Sequence, residues 1–229
     1  MTLHKPGRLA RKWLMTTLCL AMMIAGYGRM DAQVAAADTL TASKVFVEAP
    51  LEVLDLLRPS TRLDMLDYYT QADSILPAPN ALGGSSRLVR VAADYLKLQV
   101  TPVSTLEIKL LQKGKKQMVM TLYTVGDDTM AGDTEVRFFD ADLRPLDAAK
   151  FLKSPKLVDF FNLKGSGIKE KELREKIPYT AVEYSVGPGS DTLTARLTVL
   201  SVLSQEDKDL LKPMLIPALS APWKGKYKF

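Results

Sequence analysis

The chain is nearly without two residues on which much catalysis and metal chemistry depends: 229 residues contain one cysteine, Cys19, and one histidine, His4. Both fall in an N-terminal stretch laid out like a secretory signal. Lys5, Arg8, Arg11 and Lys12 precede an apolar run from Trp13 to Ala25, and small and polar residues follow. At 13 residues the run is shorter than the roughly 20 that a membrane-spanning helix needs. Residues 1–32 are therefore read as a signal peptide cut after Ala32, leaving Gln33 first, with Ala35, Ala36 and Ala37 as alternative ends. Thr16-Thr17-Leu18 lacks the small residue expected beside a lipidated cysteine, so Cys19 is not read as an anchor. The expected address is the periplasm or outer surface of a Gram-negative bacterium.

Once the signal is removed, the mature chain has no cysteine and no histidine. Cysteine nucleophiles, Ser-His-Asp triads, structural zinc sites and histidine-based metal, haem or pH-switch chemistry are all excluded together. No disulfide is available either, so an exported protein must hold together by its core. The 197 residues left are enough for that, burying about 70% of the surface their unfolded chain exposes. Charge is equally uninformative about partners. The formal net charge is +5, but residues 1–32 hold five of the 31 basic and one of the 26 acidic residues, leaving 26 against 25, net +1. Nothing recruits nucleic acid or an acidic surface, and no cofactor motif is present.

Residues 33–44 are small and polar and read as a flexible leader. Val45-Phe46-Val47 reads as a short strand. Pro50 to Leu57 has a broad apolar face and reads as a helix stopped by Arg58-Pro59, and a second helix restarts with Thr61 and Asp64 in capping-box spacing and runs to Tyr69. Leu63, Leu66 and Tyr69 mark its docking side. From Arg87 the period changes to two. Leu96, Leu98, Val100 and then Leu106, Ile108, Leu110 alternate with polar residues around Thr101-Pro102, the mark of an antiparallel hairpin. Strands follow at 117–125 and 134–140, with 126–133 as a polar loop. In the second half, Ser154-Pro155 opens a helical turn, 169–176 is a charged helix, 179–186 and 193–203 are strands, and Ser204 caps a short helix. In the last seven residues Trp223, Tyr227 and Phe229 fall on one face and Lys224, Lys226 and Lys228 on the other. The expected fold is α+β: an antiparallel sheet of about eight strands with helices packed on one face. Residues 45–229 form the folded part, either as one domain or as two related halves, 45–150 and 151–229.

Several of these runs also carry a resemblance. Val45-Phe46-Val47-Glu48-Ala49-Pro50, Arg62-Leu63-Asp64-Met65-Leu66-Asp67-Tyr68-Tyr69, Asp94 to Gln99, Ser104 to Leu110, Leu122 to Val125 and Arg137 to Asp140 together resemble a family of secreted Bacteroidetes proteins catalogued only as a domain of unknown function. The likeness spans nearly all of the mature chain. It implies no activity and transfers no functional residue.

Four groups of residues invite a chemical reading. Asp64 and Asp67, three apart on a helix, have the spacing of paired carboxylates, but capping by Asp64 and a solvated face for Asp67 are the favoured reading. Asp127, Asp128 and Asp133 crowd one loop, but Ala131 and Phe138 stand where a calcium-binding EF-hand needs ligands, so that motif fails. Ser166-Gly167-Ile168-Lys169 matches the Ser-x-x-Lys pattern of serine acyl-enzymes without the companion Lys-Thr-Gly. The lysines of the last strand are those of a protected sheet edge. The reading that remains is an exported, non-catalytic protein that binds an envelope protein or a small ligand, with Arg62, Tyr68, Tyr69 and Trp223 as candidate ligand-binding residues. Neither a metal nor a cofactor is expected. The alternative is a periplasmic hydrolase using the carboxylates or the Ser166/Lys169 pair.

Overall fold

The alternating patterns between residues 85 and 140 build one antiparallel meander. The structure, a computed structural model, describes residues 39–71, 76–127 and 130–229. Ala32, Gln33 and Asp128 lie outside the described residues. Seven strands follow one another in space as in sequence: β1 (Ala78–Pro79), β2 (Ser85–Val91), β3 (Tyr95–Thr101), β4 (Ser104–Lys113), β5 (Lys116–Asp127), β6 (Met130–Asp140) and β7 (Pro145–Leu146). Two smaller sheets complete the β structure. One is a parallel pair of β8 (Leu152–Lys153) with β12 (Tyr227–Lys228); the other is three-stranded, β9 (Val182–Ser185), β10 (Thr192–Leu197) and β11 (Leu219–Pro222) in the order β11-β10-β9. Against the expected eight strands, the described residues hold twelve in three sheets, because short edge segments such as β1 and β7 leave no alternation to read.

Because side chains alternate across a strand, the large sheet has two apolar faces, each with its own core. Leu96, Leu98, Ile108, Leu110, Val119 and Phe139 belong to the first, together with Ala42, Val45 and Phe46 of helix α1 (Ala42–Glu48) and Met65 of helix α2 (Pro59–Gln71). Tyr95, Leu111, Met120, Leu122 and Phe138 belong to the second, with the three-stranded sheet, Leu173 of helix α3 (Glu170–Lys176) and Leu211 of helix α4 (Gln205–Leu211). The helices are therefore shared between two cores and not gathered on one face. Both sides of the sheet carry enough apolar surface to need a cover.

The N-terminal elements differ from their sequence reading in three respects. Val45-Phe46-Val47 lies in α1, not in a strand: Ala42, Val45 and Phe46 are buried at helical spacing, and the Thr41 hydroxyl caps the helix by accepting from Lys44 N at 3.1 Å. Residues 51–57 form turns instead of a helix. Pro59 opens α2 rather than ending a helix before it, since a proline is tolerated where no intrahelical N–H is needed. Thr61 and Asp64 consequently sit inside the first turns and are not an N-terminal box. Of the segment read as a polar loop, residues 126–127 and 130–133 are strand. Gly126 (φ +148°) approaches Gly132 so closely that an added Cβ would stand 2.2 Å from its Cα, at a bulge in the β5–β6 hairpin. At the C-terminus the alternation holds, with Trp223, Tyr227 and Phe229 in or against the second core and Lys224, Lys226 and Lys228 exposed.

Strand β9 is an edge of its sheet, and unpaired edge N–H groups invite foreign strands. Here the large sheet occupies them. Val182 N donates to Asp133 Oδ1 (3.1 Å), Tyr184 N to Thr134 Oγ1 (3.0 Å) and, one step past the strand, Val186 N to Glu107 Oε2 (3.2 Å). Beside this row Lys109, fully buried, pairs with Asp94 and with Asp191 Oδ1 at 3.3 Å, while Asp94 also accepts from Gly189 N. These polar contacts join the second face of the sheet to the chain around residues 182–191.

Candidate functional site

The first face of the sheet is only partly covered. Cross-strand pairing aligns Leu98, Leu106, Tyr123 and Glu135 in one row, and Ile108, Thr121 and Arg137 in the next. Each row runs from apolar on β3 and β4 to polar on β6. Helix α1 lies over the apolar end. Residues 50–57 continue from it above the rest, and Ala81 N donates to Leu56 O at 3.0 Å, bringing Leu82 to the far lip. Between this roof and the sheet is a cavity of about 320 Å³ with Phe46, Leu54, Leu57, Leu98, Val100 and Leu106 among its walls, and Glu52, Asp55, Glu135 and Arg137 also lining it. A second depression of about 590 Å³ runs toward β7, sharing Glu52, Val53, Glu135 and Arg137 with the first.

Arg62 holds the roof in place. Its guanidinium is fully buried and donates to five backbone carbonyls: Leu57 O (2.8 Å), Phe46 O (3.1 Å), Val47 O (3.4 Å), Ala49 O (2.5 Å) and Leu54 O (3.2 Å). Three of these belong to the end of α1, where unpaired carbonyls and the helix dipole favour a cation. The others belong to the roof. Burial pulls the guanidinium below its ordinary pKa, and no carboxylate pairs with it among the described residues. Arg62 is a positioning residue that builds the wall of the cavity without lining it.

The other candidates do not meet there. Tyr68 is exposed on α2. Tyr69 packs against the first core with its hydroxyl accepting from Val91 N at 3.3 Å, and Trp223 packs against the second, its indole N–H donating to Gln112 O at 2.6 Å and its ring 4.9 Å from that of Tyr227. Tyr69 and Trp223 thus belong to opposite faces of the sheet, and no aromatic strip joins them. Of the expected docking side, Leu66 and Tyr69 pack against the first core, while Leu63 is exposed and Arg62 and Met65 take the buried positions beside them. Asp64 and Asp67 are exposed and line neither cavity.

Ser166 is engaged in its own turn, donating to Leu163 O (2.9 Å) and accepting from Ile168 N (3.1 Å). Asp133 faces β9, and no group of three or more His, Cys, Asp or Glu placed to hold a metal occurs among the described residues. The residues that do line the cavity had no sequence signal beyond apolar periodicity, of period two in the strands and helical spacing at 50–57. Arg137 is the informative one. It is an arginine on the same face as buried leucines, its Nε donating to Glu135 Oε1 at 2.8 Å. That hydrogen bond, and more weakly the charge of Asp55, raise its pKa.

A family model described as "Protein of unknown function (DUF3256)" matches residues 33–229. Among solved structures, a domain of an uncharacterized protein from Porphyromonas gingivalis W83 superposes with a TM-score of 0.70 at 21% identity, covering 81% of this chain and 96% of that chain. At that identity the likeness is one of fold. No curated protein matches the chain.

Proposed function

The chain belongs to the DUF3256 family of proteins of unknown function, and from that premise we propose that it is an exported, non-catalytic binding protein of the cell envelope that takes an apolar group into the groove beneath residues 50–57. The observation that carries this reading is the preformed cavity of about 320 Å³, with apolar walls and a few charged groups at its edge. Ligand sites are typically of this kind, at about 300–1,000 Å³. Export is supported by the layout of residues 1–32 and by a family match that begins at Gln33, the residue after the expected cut. No helix among the described residues is long and apolar enough to cross a membrane. Binding is favoured over hydrolysis because Asp64, Asp67, Ser166 and Lys169 lie away from the groove's lining.

Two measurements test the reading. Expressed as the full chain in a Gram-negative host, the protein should be recovered from the envelope or periplasm with Gln33 as its first residue by intact mass. Recovery from the cytoplasm with residues 1–32 retained would refute export. The neutral dye N-phenyl-1-naphthylamine should brighten on the mature chain. Val53→Trp, which fills the groove from its roof, and Leu82→Asp, which makes its lip polar, should weaken the dye about tenfold, the scale expected when one or two apolar contacts are lost. Leu82 is exposed, so that variant keeps the fold. Equal dye binding by the wild type and both variants would rule out the groove.

A further inference from the structure

The groove's charge distribution indicates which apolar ligands it accepts. Three carboxylates, Glu52, Asp55 and Glu135, line it against one guanidinium, Arg137, for a balance of −2. The single cation is already matched: Arg137 is hydrogen-bonded to Glu135 at 2.8 Å and lies within the field of Asp55. An anionic ligand would have to displace Glu135 and approach two further carboxylates. Glu52 and Asp55 make no salt bridge within 4 Å among the described residues, and Asp55 meets Arg137 only through its charge at longer range. Both are exposed on the roof segment, so a cation can reach them without desolvating either fully. Glu52, Glu135 and Arg137 also line the second depression, which places Glu52 and Glu135 at the junction of the two cavities, with Asp55 on the first alone and Leu98, Val100 and Leu106 on its apolar side.

Resting on the groove-binding reading above, we propose that the ligand is a small amphiphile with an apolar body and a positively charged head. The body lies against Phe46, Leu98 and Leu106, and the ammonium or equivalent group stands between Glu52 and Asp55. Nothing covalent is required. Because both carboxylates are exposed, the head is held by screened, salt-sensitive attraction, and affinity comes chiefly from the buried body.

The test is displacement of N-phenyl-1-naphthylamine from the mature chain by decylamine, decanol and decanoate, each below its micelle concentration, at pH 7 and low ionic strength. Decylamine should displace the dye at about one-tenth the concentration of decanol, as expected for two exposed ion pairs, with decanoate weakest. The preference should shrink in high salt. It should disappear in Glu52→Gln/Asp55→Asn, with decanol unaffected and the melting temperature unchanged. If decanol displaces the dye and decylamine has no advantage, or if the advantage survives the double substitution, the charge assignment is wrong and groove binding stands. If none of the three displaces the dye, groove binding fails and this assignment fails with it.

Discussion

Arg62→Ala is expected to lower the melting temperature of the chain from Gln33 onward by about 10 °C, for a loss of roughly 3–5 kcal/mol at 2–4 °C per kcal/mol in a domain of this size. The side chain is fully buried and serves five carbonyls spread over residues 46–57. Truncation strips these acceptors of their donor and leaves a cavity under the roof. The carbonyls at the end of α1 also lose the cation that faces the helix dipole. Arg62→Lys separates charge from geometry. A lysine keeps the positive charge but has three donors on one nitrogen in place of a planar fork, so it should recover less than half of the loss. Dye binding in the groove should weaken in both variants at temperatures where circular dichroism still reports a folded chain, because the roof depends on Arg62 more directly than the sheet does. A melting temperature within 2 °C of wild type for Arg62→Ala would refute the clamp, given the 2–4 °C per kcal/mol that applies to domains of this size.

Removing both carboxylates that face Lys109 should cost more than removing the lysine. Lys109 is fully buried, whereas the side chains of Asp94 and Asp191 are 37% and 52% exposed. In Asp94→Ala/Asp191→Ala the ammonium stays buried with Gly187 O (3.4 Å) as its remaining hydrogen-bond acceptor among the described residues, and orphaned buried charges cost about 3–5 kcal/mol. Lys109→Met keeps the aliphatic stem and returns two carboxylates to water, so its cost should be about 1 kcal/mol. The inequality is the test, read from denaturant midpoints; equal losses would show that packing and not charge governs the site.

The same joint predicts an acid dependence. Desolvation pushes the Asp94 carboxyl up, but the hydrogen bond and charge of Lys109 and the Gly189 N–H outweigh it, so its pKa is lowered from 3.8. A carboxyl depressed on folding contributes stability that is fully present above its unfolded value, here 3.8, and lost as pH falls through its lower folded value. Lys109→Met should therefore flatten the acid limb of the stability curve, and an unchanged limb would dismiss the coupling. The residues around 182–191 should be the first to gain hydrogen exchange in acid, since Val182, Tyr184 and Val186 donate to side chains of the large sheet.

Particular residues show how far local pattern reaches. Leu96, Leu98, Ile108 and Leu110 were legible as strand positions because alternation reports burial directly, and the structure pairs them in one meander. Trp223, Tyr227 and Phe229 were legible for the same reason. Val45-Phe46-Val47 was not, since two β-branched residues around an aromatic favour a strand locally while Ala42, Val45 and Phe46 give a helical stripe only once the Thr41 cap is seen. The apolar spacing of residues 51–57 suits a helix, yet Arg62 claims the carbonyls of Leu54 and Leu57 and holds the segment in turns. Position 62 does continue the inward stripe of Met65, Leu66 and Tyr69, and that periodicity was the one available sign of its burial.

By itself the sequence determined the alternation that builds the sheet, the basic-then-apolar layout of residues 1–32 and the absence of cysteine and histidine beyond them. Each of these is a property of residue identity or of neighbours within a few positions. Only the tertiary structure decided that Arg62 is a buried clamp, that the helices serve two cores and that a groove lies between residues 50–57 and the sheet. The walls of that groove come from positions 46–57, 82, 98–106 and 121–137, and a cavity is the space left between elements after they pack. Local periodicity states which side of an element is apolar. It does not state which carbonyls a guanidinium reaches, or which part of an apolar face is left uncovered.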